Sequence, residues 1–338
     1  MASVRMELGI RVATMSESTY KGQNLHFQCP FAFLDNQVNP NLSGPNPVEE
    51  YMRCALVMFA SVRRFHPRAK LTLVTNMPLS KSWLLKFASI DCENRVIPFE
   101  FKSPDGYMDS FQGSLFLLDL LSNLENSEVN VVLDPDIVCV SSLPEGFSRE
   151  IANQIGVLDL AFDKDHTING LSPRDQRDYQ ARNHHPSPHF SHFGGELYVI
   201  PASRSTWLKQ EILEAWDQNM ENFKSGQSYL VTEEHILNYV LGKTKTTDLS
   251  NIANRIWTAV KYRLIPEDID SLAFWHLPSE KGFGFTKLYN LMSKPNSWFN
   301  LATNERFKRL AARTMSVSGW PPMLKACRVA KKLQSKFC

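Results

Sequence analysis

An apolar run, Val131-Val132-Leu133, leads directly into Asp134, Pro135 and Asp136. Such a run reads as a buried parallel strand. In open α/β sheets, ligands gather outside the carboxyl ends of the strands. Both carboxylates are anionic at neutral pH, and two so close repel each other unless a cation lies between them. Oxygen ligands at this spacing suit a divalent metal that carries a phosphorylated substrate.

Carboxylates in a loop do nothing until a scaffold aims them, and the chain supplies its elements in order. His26–Leu34 reads as an early strand, with Ile10–Thr14 as a neighbour. Asp35 follows at its end and joins the cofactor-binding candidates. Residues 37–47, with Asn-Pro and Gly-Pro pairs, form a loop. Val48–Phe65 carries Met52, Ala55, Leu56, Phe59 and Val62 at helical spacing and stops at His66-Pro67. Leu71–Asn76 is a strand, Arg95–Phe101 a shorter one, and Gln112–Leu124 an apolar helix that leads into the Val131 strand. Ile155–Phe162 and the segment ending at Pro201 (HFGGELYVIP) are further strands, while Trp207–Phe223 and Glu233–Leu241 are helices. Strands alternating with helices predict an α/β fold with a mostly parallel sheet and helices on both faces. Asp163–Ser191 is polar without a clean period, which predicts a loop.

Bulk properties narrow the function classes. A chain of 338 residues with 43% hydrophobic and 21% charged residues has enough apolar content for a sizeable core without metal or disulfide staples. The net charge of +2 is unevenly spread: nine Lys/Arg against Glu305 give residues 301–338 a charge of +8 and leave the rest at −6. An acidic body with a basic tail argues against nucleic acid as a partner. The tail, ending PPMLKACRVAKKLQSKFC, has the composition either of a solvated terminal helix or of a segment that lies on an anionic membrane surface. Cys29, Cys54, Cys92, Cys139, Cys327 and Cys338 are scattered, with no C-x-x-C pair. Cys54 and Cys139 fall in apolar runs and read as core thiols. With no signal-peptide pattern at the N-terminus and no long apolar span, the expected location is cytoplasmic, with peripheral membrane contact through the tail as the variant.

The Asp134/Asp136 pair admits two enzymatic readings and one bland one. It fits the Asp-x-Asp metal site of nucleotide-sugar transferases, where the metal bridges the diphosphate. It also fits the first motif of haloacid-dehalogenase-type phosphatases, with Asp134 as nucleophile, Asp136 as acid/base and Val138 correctly spaced. A solvated turn at a strand end is the third. Position favours the transferase: a whole α/β unit precedes the pair, whereas the phosphatase motif opens its fold.

At this point the chain resembles a family. YMRCALVMFASVRRFHPRAKLTLVTN, FQGSLFLLDLLSNLENSEVNVVLDPDIVCV, HFGGELYVIP and EEHILNYVL occur in that order. They resemble the successive blocks of GT-A-fold glycosyltransferases, nearest to the family 8 type, over roughly Phe31 to Phe285. The resemblance implies a GT-A (Rossmann-like) catalytic domain over residues 1–300, its nucleotide-binding half reaching to about 140 and its acceptor half following. Residues 301–338 are then a basic helical extension.

The resemblance also implies roles. Asp134 would touch the nucleotide and a metal, Asp136 would bind the metal directly, and His276 in FWHLPSEKGFG would be the third ligand. The metal would be Mn²⁺ or Mg²⁺, with imidazole favouring Mn²⁺. Lys281 would sit on the diphosphate, one position earlier than the family's lysine. Gly194 and Gly195 would let the backbone approach the sugar, or else mark a bulge, with Glu196 beyond them on sugar hydroxyls. Glu233 would bind donor hydroxyls and Glu234 would lie beside the anomeric carbon. Capping by Thr232 would equally explain acids at this helix start. His184, His185, His189 and His192 have zinc-like spacing but no cysteine, and a mobile acceptor or lid loop is the preferred reading. The expected function is transfer of a sugar from a nucleotide-diphosphate sugar, a UDP-sugar first, to a hydroxyl on a glycan, lipid-linked or protein acceptor. The alternatives are the phosphatase and a catalytically silent nucleotide-sugar- or carbohydrate-binding protein.

Overall fold

The computed structural model describes residues 25–34, 46–108, 111–183 and 191–319. Strand β1 (Leu25–Phe31) is followed by α1 (Pro47–Phe65), β2 (Lys70–Thr75), α2 (Lys81–Ala88) and β3 (Cys92–Val96). Helix α1 starts where the Asn46 side chain accepts from the Glu49 amide and Pro47 takes the first helical position. Both are strong start signals, because they satisfy or remove amides that have no partner within the helix. A 3₁₀ turn (Gln112–Leu115) enters α3 (Phe116–Ser122), which leads to β4 (Val129–Leu133). Strand β1 pairs in parallel with β2 and β4, and β2 in parallel with β3.

Beyond β4 come β5 (Ile137–Cys139), the single helical turn α4 (Phe147–Glu150), β6 (Ile155–Asp159) and α5 (Pro173–Arg182). Then follow β7 (Phe193–Ile200), α6 (Ala202–Lys224), α7 (Glu233–Leu241) and β8 (Thr246–Asp248). The main sheet has seven strands in the order β3-β2-β1-β4-β7-β6-β8. Strand β7 runs antiparallel to β4 and β6; the other pairs are parallel. The fold is therefore α/β, with a mostly parallel mixed sheet. Side-chain alternation divides its core. Phe27, Cys29, Leu71, Leu73, Val131 and Leu133 pack beneath α1 and α2. Val74, Val132, Tyr198 and Ile200 pack beneath α3, α6 and α7 on the other face.

The last third builds a second, smaller sheet at the carboxyl end of β4. It contributes β9 (Ala253–Arg255), the hairpin β10 (Trp257–Thr258) with β11 (Arg263–Leu264), and β12 (Phe274–His276). Strand β12 lies between β5, antiparallel, and β9, parallel. A 3₁₀ turn (Pro278–Glu280) and a π-helical turn (Lys281–Phe285) run into α8 (Thr286–Met292), followed by α9 (Trp298–Leu301) and α10 (Asn304–Thr314). Helix α10 belongs to the basic C-terminal stretch, yet Phe307 is fully buried and meets Phe65 of α1 with ring centroids 5.8 Å apart. The remaining tail, with Cys327 and Cys338, lies outside the described residues, as does the Ile10–Thr14 strand. Cys29, Cys54, Cys92 and Cys139 are buried free thiols. No described helix is long and apolar enough to cross a membrane.

Three elements differ from expectation. Helix α5 lies inside the polar stretch read as a loop. A capping box of Ser172 and Asp175 starts it, and its buried face is Gln176, Tyr179 and Gln180, so polar core contacts hide the helical period. Helix α2 has a weak sequence signal, because Trp83 and Phe87 are buried while the equally apolar Leu84 and Leu85 face solvent. The short strand is Cys92–Val96, not Arg95–Phe101; regular pairing stops just before Pro98, which has no amide to donate.

Candidate functional site

The turn after β4 is fixed by its own backbone. The Asp134 amide donates to the Glu196 carbonyl (3.0 Å), and the Ile137 amide to the Asp134 carbonyl (3.3 Å). Strand β5 then pairs with β12 so that Ile137 lies opposite His276, and the Leu277 amide donates to the Asp136 carbonyl (3.0 Å). Sheet register thus brings His276 beside the two aspartates. Its Nε2 is 3.4 Å from Asp136 Oδ1 and 3.6 Å from Asp134 Oδ2. One ligand atom from each of Asp134, Asp136 and His276 falls within 4.8 Å of the other two. Asp136 is completely buried, whereas the Asp134 side chain is 42% exposed and opens on a cleft.

Charge balance around this cluster is tight. Burial works to raise Asp136, but the Lys281 ammonium paired with it and then His276 outweigh burial and hold it well below the usual carboxylate range. Burial and the Asp136 charge push Asp134 upward. Burial would lower His276, but Asp136 and Glu196 outweigh it and raise the imidazole to about 9. Glu196 is itself buried, receives Arg255 through Nε (2.8 Å) and Nη2 (2.7 Å), and lies 3.2 Å from His276 Nδ1. Against burial, Arg255 and His276 keep Glu196 far below its ordinary value.

The donor set fits a divalent cation. Two carboxylates and an imidazole converge, and Asp136 Oδ1 is buried without a hydrogen-bond partner. An acceptor in that condition costs free energy that a cation would recover. The imidazole shifts preference from Mg²⁺ toward Mn²⁺.

The cleft beside the cluster has a volume of about 400 Å³ and is lined by Asp134, Gly195, Glu233, Glu234, Arg255 and Lys281 among others. Both glutamates open helix α7, where Thr232 Oγ1 accepts from the His235 amide (3.3 Å). Capping is thus present, and the glutamates also face the cleft. Ser114 donates to Glu233; burial and the adjacent Glu234 push Glu233 up to about 8. Glu234 accepts from the Gly195 amide (2.9 Å) and lies 3.6 Å from Arg255. Burial would raise Glu234, but His192 and Arg255 bring it below its ordinary value.

The other expected residues take these places around the cleft. Glu196 borders the cleft, yet it is 1% exposed and its oxygens are engaged by Arg255 and His276. Gly194 serves Glu196: a Cβ there would stand 2.1 Å from Glu196 Oε2. Gly195 does border the cleft, and a Cβ on it would press Glu234 Oε1 at 3.1 Å. Lys281 lines the cleft but is bound to Asp136. Asp35, His184, His185 and His189 lie outside the described residues. His192 sits behind the site, 3.5 Å from Glu234, with Asn238 and Gln176 at its Nδ1.

Sequence reasoning missed Arg255, Ser114 and the supporting Gln176. Their one-dimensional signals are weak. Arg255 sits in a three-residue strand, and Gln176 in the helix read as a loop. Neither protein-family models nor curated proteins give a match to the chain.

Proposed function

We propose that this chain is a metal-dependent glycosyltransferase of the GT-A type. It would transfer a sugar from a nucleotide-diphosphate sugar, with UDP-sugars as the first donors to test, to a hydroxyl acceptor. The observation that carries the reading is the convergence of Asp134, Asp136 and His276 at the carboxyl end of a central strand, beside a cleft: Asp136 Oδ1 is buried, makes no hydrogen bond and lies 3.4 Å from His276 Nε2. Asp134, Asp136 and His276 would hold Mn²⁺ or Mg²⁺, which supplies positive charge against a departing diphosphate.

The chain's own groups have complementary tasks. Lys281 adds a second cation on the cleft wall. Glu233, whose carboxyl burial and the adjacent Glu234 push upward, lines the cleft where a sugar hydroxyl would lie. Glu234, anionic and braced by the Gly195 amide and Arg255, places negative charge where an oxocarbenium-like centre would develop. The phosphatase alternative requires Asp136 to hold and deliver a proton. Its pairing with Lys281 opposes that, since the carboxyl stays ionised at neutral pH.

The test is a thermal-shift panel of nucleotides and nucleotide sugars, with and without Mn²⁺, followed by assay of donor hydrolysis. The expected outcome is a Mn²⁺-dependent shift with one UDP-sugar, together with release of UDP. Binding without turnover would select the silent binding protein. A trapped phospho-aspartate at Asp134 would select the phosphatase, and no shift with any compound would sink the transferase reading.

A further inference from the structure

Glu196 stands at the meeting of three strands. It projects from β7; its partners Arg255 and His276 come from β9 and β12, where the two lie directly opposite in register. The Arg255 guanidinium clamps both Glu196 oxygens, at 2.8 and 2.7 Å. One of those oxygens, Oε1, is also 3.2 Å from His276 Nδ1. The other ring nitrogen, Nε2, points at Asp134 and Asp136. Gly194 leaves the space that the Glu196 carboxylate fills.

We infer that Glu196 is a positioning residue: it holds His276 so that Nε2, and not Nδ1, is presented to a cation shared with Asp134 and Asp136. This rests on the metal-dependent reading given above. An imidazole ligates through a lone pair on one nitrogen while the other keeps its hydrogen, and the acceptor of that hydrogen fixes both ring orientation and tautomer. Glu196 Oε1 is that acceptor. Arg255 in turn keeps the carboxylate from rotating away, so the aim of His276 is set by a strand that contributes no ligand itself. Glu196 is 1% exposed, so solvent does not compete for this contact.

Mn²⁺ binding, measured from the paramagnetic resonance signal of free Mn²⁺ without any donor, tests the assignment. Glu196→Gln is expected to weaken binding roughly 10–100-fold, with the melting temperature showing that the protein stays folded. The same change in a His276→Ala background is expected to alter affinity less than about twofold, because a residue that acts through His276 has nothing left to act on. Gly194→Ala gives an independent route. It removes no charge, yet pushes the Glu196 carboxylate off its place, and it is expected to weaken binding in the His276 background alone. It replaces Glu196→Gln should that variant fail to fold.

Equal losses in both backgrounds would mean that Glu196 acts only by its charge, and would overturn the inference. So would no loss in either. Wild-type protein that binds Mn²⁺ while Glu196→Gln binds it equally well sinks this inference and leaves the metal reading standing. Wild-type protein that binds no Mn²⁺ sinks both.

Discussion

The two ends of the central strands carry nearly the same residue types and do different things with them. At the carboxyl end are Asp134, Asp136, His276 and Lys281; at the amino end are Glu125, Glu128, His26 and Lys70. In each, a histidine and two carboxylates present ligand atoms within 4.8 Å of one another. Yet His276 is raised to about 9, while burial and then Lys70 lower His26 to about 4. Pairing is similar at the two ends, since a lysine holds one carboxylate in each and a second oxygen is buried without a hydrogen bond in each; the difference lies in the other neighbours of the histidine and in access. Lys70 takes both oxygens of Glu125, at 3.0 and 2.9 Å, and His26 Nε2 is hydrogen-bonded to Thr72 Oγ1 at 2.8 Å. Only the carboxyl-end group borders the cleft. A list of ligand types therefore identifies two clusters; access to the cleft is what separates them.

The largest effect expected from breaking this contrast is at Asp136. Asp136→Ala should abolish Mn²⁺ binding and also cost about 3–5 kcal/mol of stability, because it strands a buried ammonium. Asp136→Asn should lose the metal with a smaller stability loss, read by urea unfolding beside the Mn²⁺ titration. Tight binding retained in Asp136→Asn would remove the carboxyl-end cluster from consideration.

Acid should reveal the amino end. The folded-state value of His26 lies below its unfolded value of about 6.5, so the unfolded chain takes up the proton first as pH falls. Its contribution is complete above about pH 6.5 and fades as pH falls toward 4, by up to about 3 kcal/mol. His26→Gln should flatten that part of a stability-against-pH curve recorded in chelator; an unchanged slope would refute the assignment.

A smaller contrast is in affinity. His276→Ala should weaken Mn²⁺ binding at least as much as Glu196→Gln does, whereas His26→Ala should leave it within about twofold. Comparable losses in the two variants would erase the distinction between the ends. The smallest effect is expected for Glu125→Gln. Its partly exposed pair with Lys70 is worth under about 1 kcal/mol, so the unfolding midpoint should barely move.

Local chemistry made part of this legible in sequence. The run ending in Asp134 and Asp136 announced a strand with acids at its carboxyl end, and α1 announced itself through period and stop signal. The sheet's parallel half followed from the alternation of strands and helices. His276 has no local signal strong enough to separate it from an aromatic-cluster histidine; it came from the order of blocks. Arg255 and the contacts of Glu196 were out of reach, because both depend on β9, β12 and β7 coming together. Pairing between short strands far apart in the chain leaves no period to read. Helix α5 was hidden for a different reason: its inward face is made of amides and a tyrosine.

The ion pair between Asp136 and Lys281 joins residues 145 positions apart. At a synthesis rate of roughly 5–20 residues per second, the acid leaves the ribosome roughly 7–30 seconds before its counter-ion. During that interval the carboxylate that the finished interior encloses has water in place of Lys281. A chain cut short before β12 lacks His276 and Lys281 together. The cleft end of the sheet is thus completed by the last third of the chain, which supplies both cationic neighbours of Asp136.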